Sequence, residues 1–272
     1  MADKVVLITG TSTGIGLALA AAAVDAGYRV VATLRNPDRG DAVRSTGADV
    51  RTLDVTDAKS VADCLAGVIA DYGRLDAVVN NAGASVLGTV ENLPMAEIRR
   101  ALEVNFFGVV EVTRAAMPHL RASGGRVVTV SSVGGVVGQP FNEAYCAAKF
   151  AVEGFMESLA PVAATVGVGV SLVEPGAVAT EFVANAGVNP AHAIAEAGPY
   201  APALKAYIER TLGAYTVGQT AEEVAAVVMQ ALTAEPIVFR WQTSDWARDF
   251  VTNKLLDLDG SRVRGLTGGW VS

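Results

Sequence analysis

Short apolar runs alternate with longer amphipathic stretches along most of this chain, and that alternation admits few folds. Val5-Val6-Leu7-Ile8 is a continuous, largely β-branched run of the kind expected for a strand buried on both faces of a parallel sheet. A helical stretch through Ala26 follows, and then a second strand over residues 28–34. The pattern predicts further strands at 49–53, 75–79, 126–130 and 168–173, with helices from Asp57, over 95–120 and over 144–166. Parallel neighbours joined through helices cross over right-handed, so these units stack into a doubly wound sheet with helices on both faces. Past Gly176 the rhythm breaks. Residues 182–217 carry Gly, Pro and Ala with a weak helical pattern around 203–212, and the next strand is expected at 237–239. Ligands of an open α/β sheet sit beyond the carboxyl ends of its strands, so this C-terminal insertion is expected to be a substrate lid. A helix over 220–234 and the strand after it return to the sheet. The expectation is one Rossmann-like domain spanning 1–272 rather than two, with no low-complexity linker or internal repeat.

Composition narrows the chemistry. With 51% hydrophobic and 18% charged residues there is material for a large core. A net charge of −7 opposes binding to nucleic acid or to an anionic membrane. Two His and two Cys are too few and too scattered for a zinc or iron–sulfur site, so no metal is expected and redox chemistry would need an organic cofactor. His119 and His192 carry no motif, and Cys64 and Cys146 fall in helical patterns that give no disulfide framework. The start, Met1-Ala2-Asp3-Lys4, lacks the regions of a signal peptide, and no apolar run of about 18 residues offers a membrane span. A cytoplasmic location is the expectation.

After the first strand comes Thr9-Gly10-Thr11-Ser12-Thr13-Gly14-Ile15-Gly16. Gly10 permits a tight turn, Gly14 lets backbone approach a pyrophosphate, and Gly16 allows close helix–strand packing. The helix N-terminus behind them offers free N–H groups to phosphate oxygens. At these residues the sequence resembles the short-chain dehydrogenase/reductase family, whose glycine motif has this Thr-Gly-x-x-x-Gly-x-Gly form, and the resemblance covers nearly the whole chain. Asn80-Asn81-Ala82-Gly83 and Leu53-Asp54-Val55 match two further family motifs. The resemblance implies that Asn81, Ala82 and Gly83 line the cofactor, with Ser12, Thr13, Ile15 and Val55 beside it, and that the Asp54 carboxylate accepts from the adenine amine. It also implies that Pro175-Gly176 packs against the nicotinamide, with Val178 adjacent and Thr180 near the carboxamide. The residues after the second strand, Leu34-Arg35-Asn36, bear on cofactor choice. An acid there would accept from both ribose hydroxyls, whereas the Arg35 fork suits a 2′-phosphate, so NADP(H) is expected, with Ser12 as a second phosphate contact. A solvated surface charge is the competing reading, with Asp38 and Asp41 close enough to blunt its field.

Tyr145 and Lys149 lie four apart, on one face of a helix. A cation about 4 Å from a phenol contributes roughly 4 kcal/mol at an effective dielectric near 20. That is about three pK units, enough to bring a Tyr towards neutrality for general acid–base work. The resemblance implies that Tyr145 exchanges a proton with the substrate oxygen, that Lys149 also holds the nicotinamide ribose, and that Ser132 orients the carbonyl, with Ser131 as the alternative if the loop register slips. It implies, too, that Asn105 holds a water relaying protons to Lys149. Asn105 already stands out as a polar residue among apolar neighbours inside a helix.

Residues 139–146 and 150–154 look like the subgroup containing 17β-hydroxysteroid and retinol-type dehydrogenases. The mostly apolar stretches 84–93 and 133–142, with the lid, suit a bulky, weakly polar ketone or alcohol, although ordinary packing would give the same composition. Reduction of a 3-oxoacyl thioester and non-catalytic sensing of NADP(H) are the alternatives. An acidic carrier disfavours the first, and the combination of Tyr, Lys, Ser and Asn disfavours the second. Family members commonly pair through the helices expected at 95–120 and 144–166, which implies a homodimer or homotetramer.

Overall fold

All five residues of Val5–Thr9 are buried, and their alternation sorts them between two cores. Val5 and Leu7 join one hydrophobic cluster while Val6 and Ile8 join another on the opposite face. A computed structural model describes residues 4–180 and 189–271, apart from the side chains of residues 215 and 216. Its strands are β1 (Val5–Thr9), β2 (Arg29–Leu34), β3 (Asp49–Thr52), β4 (Ala77–Asn80), β5 (Arg126–Val130), β6 (Gly169–Glu174) and β7 (Arg240–Gln242). They form one parallel sheet in the order β3-β2-β1-β4-β5-β6-β7. The order reverses between β1 and β4, which opens a crevice at their carboxyl ends.

The helices are α1 (Gly14–Asp25), α2 (Asp41–Arg44), α3 (Ala58–Tyr72), α4 (Met95–Leu102), α5 (Gly108–Ser123), α6 (Glu143–Ala164), α7 (Pro190–Glu196), α8 (Ala201–Thr216), α9 (Ala221–Thr233), α10 (Asp245–Leu255) and α11 (Ser261–Gly268). α3, α5 and α6 cover one face of the sheet, and α1 and α9 cover the other. Local chemistry fixes their ends. The Asp57 side chain accepts from Lys59 N at the start of α3, Gly73 closes that helix at φ +69°, and Thr220 and Glu223 form a reciprocal capping box on α9.

Two expectations need correction. The helix expected over 95–120 is interrupted by a π-helical turn at Glu103–Phe107, centred on Asn105, because the Asn105 side chain is drawn into hydrogen bonds of its own. The last strand is not 237–239 but Arg240–Gln242. Phe239 O and Val238 O do accept from Leu172 N (2.6 Å) and Ser171 Oγ (2.7 Å). Arg240 and Gln242, however, pair with buried carboxylates, and that sets the register. The lid expectation covers residues 182–217, of which 182–188 lie outside the described residues. The rest forms α7 and α8, a firmer helical structure than the weak pattern suggests. Two further helices, α10 and α11, follow β7. Leu204, Tyr207 and Ile208 of α8 pack with Phe250, Val251 and Trp270 into a third cluster. This cap rests on Val133, Val137 and Phe141, just beyond the carboxyl end of β5.

Candidate active site

The glycine loop leaves no room for side chains. Gly10 sits at φ +72°, and a Cβ there would lie 2.7 Å from Ala82 Cα. At Gly16 a Cβ would overlap the Gly10 carbonyl oxygen and the Asn81 amide. Asn81 Nδ2 donates to the carbonyls of Thr9 (2.9 Å) and Gly10 (3.0 Å), while Asn81 N and Ala82 N both donate to Thr9 Oγ1 at 3.0 Å. The loop is thereby clamped to the segment after β4, and Gly83 follows directly. Thr13 is the N-cap of α1, yet its side chain makes no capping bond and the first turn holds no acid. The amides of that turn therefore point into an anion-ready space bordered by Ser12, Thr13 and Ile15. Gly14 faces Thr180, whose Cβ would lie 3.3 Å from an added methyl. A bare backbone cradle with an uncapped helix end fits a dinucleotide pyrophosphate.

The Ser, Tyr, Lys and Asn candidates converge across the carboxyl ends of β4 and β5. Gly134 separates two of them: a Cβ there would lie 3.3 Å from Ser132 Oγ and 3.4 Å from Tyr145 Cε1. Ser132 Oγ accepts from Gly134 N (3.0 Å), which fixes its rotamer at the start of a short 3-10 turn. Lys149 Nζ lies 5.9 Å from the Tyr145 ring centroid and donates to Val130 O at 2.9 Å. Its ammonium is buried, and burial pulls its pKa down to about 8, opposed by the charge of Glu153. Asn105 is wholly buried. Its amide donates to Ala84 O and Ala101 O, both at 2.9 Å, and its Oδ1 accepts from Ala84 N at 3.1 Å. The π turn thus joins the long helix to the segment after Gly83, a common use of such turns beside active sites. Cys146, next to Tyr145, is buried and its thiol is pushed up to about 11, so it is no nucleophile.

The remaining candidates border this space less tightly. Val133 N donates to Pro175 O at 2.9 Å, which brings the Pro175-Gly176 turn beside Ser132. Val178 bridges to Gln219. Val55 packs on Gly108 at the start of α5, and Asp54 Oδ1 accepts from Thr56 N (3.0 Å) and Thr56 Oγ1 (2.7 Å), a turn-forming role of its own. Arg35 stands exposed just past β2, with no ion pair to another described residue. Asp41 is held by Arg44 at 2.9 Å rather than by Arg35.

Two groups escaped the sequence reading. Trp246 lies against Gly176 and stacks on Phe250, with centroids 5.0 Å apart and planes at 9°. Behind Lys149, Arg240 contacts Glu153 (3.2 Å), Glu157 (2.5 Å) and Glu174 (3.2 Å). Glu174 is fully buried, and burial raises its pKa to about 7 despite the hydrogen bond from Gln242 and the charge of Arg240. A carboxyl titrating higher folded than unfolded favours folding below its unfolded value of 4.5, and that advantage is lost as pH rises through about 7. Two and a half units correspond to at most about 3 kcal/mol. Glu174→Gln is therefore expected to gain stability relative to the parent between pH 5 and pH 8, measured by urea unfolding at both. An equal difference at the two pH values would contradict this.

Among the described residues, no helix is long and apolar enough to cross a membrane. Residues 4–191 match the family model described as short chain dehydrogenase. Retinol dehydrogenase 8 of Bos taurus is 35% identical over 281 residues, covering 96% of this chain and 88% of that protein. Estradiol 17-beta-dehydrogenase 1 of Rattus norvegicus is 37% identical, covering 98% and 79%. Among solved structures, a short-chain dehydrogenase from Streptomyces avermitilis superposes with a TM-score of 0.78 at 34% identity, covering 98% of this chain and 96% of that one.

Proposed function

The chain belongs to the short chain dehydrogenase family of oxidoreductases acting on alcohol and ketone groups, and from that premise we propose that it is an NADP(H)-dependent reductase of bulky, mainly apolar ketones or aldehydes. The observation that carries this reading is the convergence of Ser132 Oγ and the Tyr145 ring about Gly134, with the buried Lys149 ammonium beside the ring. Family members bind a nicotinamide dinucleotide, which supplies the hydride when bound. Gly10, Ser12, Thr13, Gly14, Ile15 and Gly16 would hold its pyrophosphate. Asp54, Val55, Asn81, Ala82 and Gly83 would line the adenosine side, and Pro175, Gly176, Val178 and Thr180 the nicotinamide side.

Ser132 donates to the substrate carbonyl and fixes its orientation, and its hydroxyl is already held by Gly134 N. Tyr145 then gives its phenolic proton to the oxygen as charge develops there. The Lys149 ammonium stabilises the resulting phenolate and would also hold a ribose hydroxyl of the cofactor. Asn105, rigid in its π turn, anchors a water through which Lys149 and Tyr145 recover their proton. The α7, α8, α10 and α11 cap packs its apolar cluster on Val133, Val137 and Phe141, next to Ser132, and this apolar setting favours a large hydrophobic substrate such as a steroid, retinoid or aryl ketone. One domain carries both cofactor and substrate sites, and pairing through α4–α5 and α6 into a homodimer or homotetramer completes the proposed assembly. A carbonyl panel followed by NADPH absorbance tests the reaction. Turnover of bulky ketones is expected; oxidation of alcohols with NADP⁺ and no reduction across the panel would overturn the direction.

Arg35 carries the cofactor preference. A charge-assisted hydrogen bond contributes about 1.5–3 kcal/mol. Arg35→Leu is accordingly expected to lower kcat/KM for NADPH about 10- to 150-fold while changing the NADH value little. An equal loss with both cofactors, or an NAD preference in the parent protein, would remove the assignment.

A further inference from the structure

Glu153 has no part in the chemistry just described, yet it is one of few buried acids in the chain. It lies on α6 one turn beyond Lys149, a spacing that puts the two side chains on one face about 5–6 Å apart at Cβ. On its other side Arg240 Nε, on the edge strand β7, reaches its Oε2 at 3.2 Å and reaches Glu174 Oε1 at the same distance. Its second oxygen, Oε1, is buried without a well-formed hydrogen bond, as is Ser131 Oγ, and the Ser131 hydroxyl faces the Glu153 carboxylate. Gly135 allows this approach, because a Cβ there would lie 2.8 Å from Ser131 Oγ and 3.0 Å from Glu153 Cγ. Ser131 immediately precedes Ser132, and Glu174 immediately precedes the Pro175-Gly176 turn. One carboxylate therefore touches, directly or through one guanidinium, the three backbone segments that carry Ser132, Lys149 and the Pro175 turn.

We propose that Glu153 is a positioning residue of the active site, whose buried negative charge keeps Lys149 protonated and, through Ser131 and Arg240, holds the Ser132 and Pro175 segments in register with it. A buried ammonium beside no anion would shed its proton near neutral pH. The charged and titratable groups facing Lys149 and Glu153 among the described residues are Arg240 from β7, Glu174 from β6, and Glu157 and Tyr145 from α6; Ser131, just past β5, is neutral. Lys149 has Glu153 as the carboxylate on its own helix face, whereas Arg240 is shared among three acids. The anion that sets the lysine charge is thereby Glu153.

This inference rests on the reductase reading above, and its test separates the two. The pH profiles of kcat and kcat/KM, with melting temperatures, are measured for the full chain and for Glu153→Gln and Glu153→Asp, with NADPH and the best ketone of the panel. Glu153→Gln keeps the shape but removes the charge. It is expected to move the basic limb about one pH unit lower and to lower kcat about fivefold at pH 8, with KM for the ketone within about twofold. Glu153→Asp, which keeps the charge, is expected to restore the limb even where it melts lower. Coincident basic limbs for Glu153→Gln and the parent would overturn the proposal. Where Glu153→Gln does not fold, a folded Glu153→Asp whose basic limb lies about one pH unit below the parent's would overturn it too, since charge would then not set the limb. Absence of turnover in the parent chain would instead overturn the reductase reading itself.

Discussion

Tyr145→Phe is expected to remove nearly all turnover while leaving NADPH binding intact. The change deletes one oxygen and keeps the ring that packs beside Gly134. What disappears is the proton donor for the developing alkoxide, and a positioned general acid contributes about 10²- to 10⁴-fold. Ser132 still orients the carbonyl, but its own hydroxyl is a far weaker acid than a phenol. The measurements are kcat by NADPH absorbance and the dissociation constant by NADPH fluorescence. A loss of kcat without a change in binding is the expected pattern. Turnover within tenfold of the parent would show that Tyr145 is not the acid, and equal losses in both quantities would assign it to cofactor binding.

Gly16→Ala has the second largest expected effect, and it acts on binding rather than on the acid. The added methyl would overlap the Gly10 carbonyl oxygen and the Asn81 amide that clamps the loop. Both obstacles are parts of the rigid clamp, not the far ends of flexible side chains. The start of α1 must therefore draw back from the loop by close to 1 Å. Overpacking of this kind costs about 1–3 kcal/mol in stability. A displacement of that size in a positioning element costs about 100-fold in the function it serves. The NADPH dissociation constant should rise by about that factor, with a lower melting temperature. Parent values of both would mean that the loop does not hold the pyrophosphate.

Much of the fold was legible because burial on both faces of a parallel strand demands continuous apolar runs. Val5–Thr9 and Ala77–Asn80 are buried along their whole length. Asn105 was conspicuous in the sequence for being polar at a core position. The π turn that results was not visible, because it depends on Ala84, 21 residues earlier, offering both a carbonyl and an amide. β7 was misread for a related reason. Ile237 and Val238 have strand-like side chains but stand nearly half exposed at the edge. The ladder is set instead by Arg240 and Gln242, whose acidic partners lie 87 and 68 residues away. The C-terminal helices did leave a local signal. Ser244 caps α10, accepting from Ala247 N at 3.1 Å, and Ala247, Phe250 and Val251 recur at helical spacing on its buried face. Among the site residues, the spacing of Tyr145 and Lys149 is local and readable. Their distance from Ser132 is set by the contact at Gly134, a tertiary fact.

The cap over the carboxyl end of β5 is assembled from two stretches of chain, α7–α8 and α10–α11, with a helix and an edge strand of the sheet between them. Almost all of it lies beyond residue 191, where the match to the family model ends. Relatives that match 96% and 98% of the chain span the cap as well as the sheet. Leu204, Tyr207 and Ile208 from the first stretch and Phe250, Val251 and Trp270 from the second fill one cluster. Neither stretch can bury its apolar face without the other, so the two must settle onto the sheet together and loosening one exposes both.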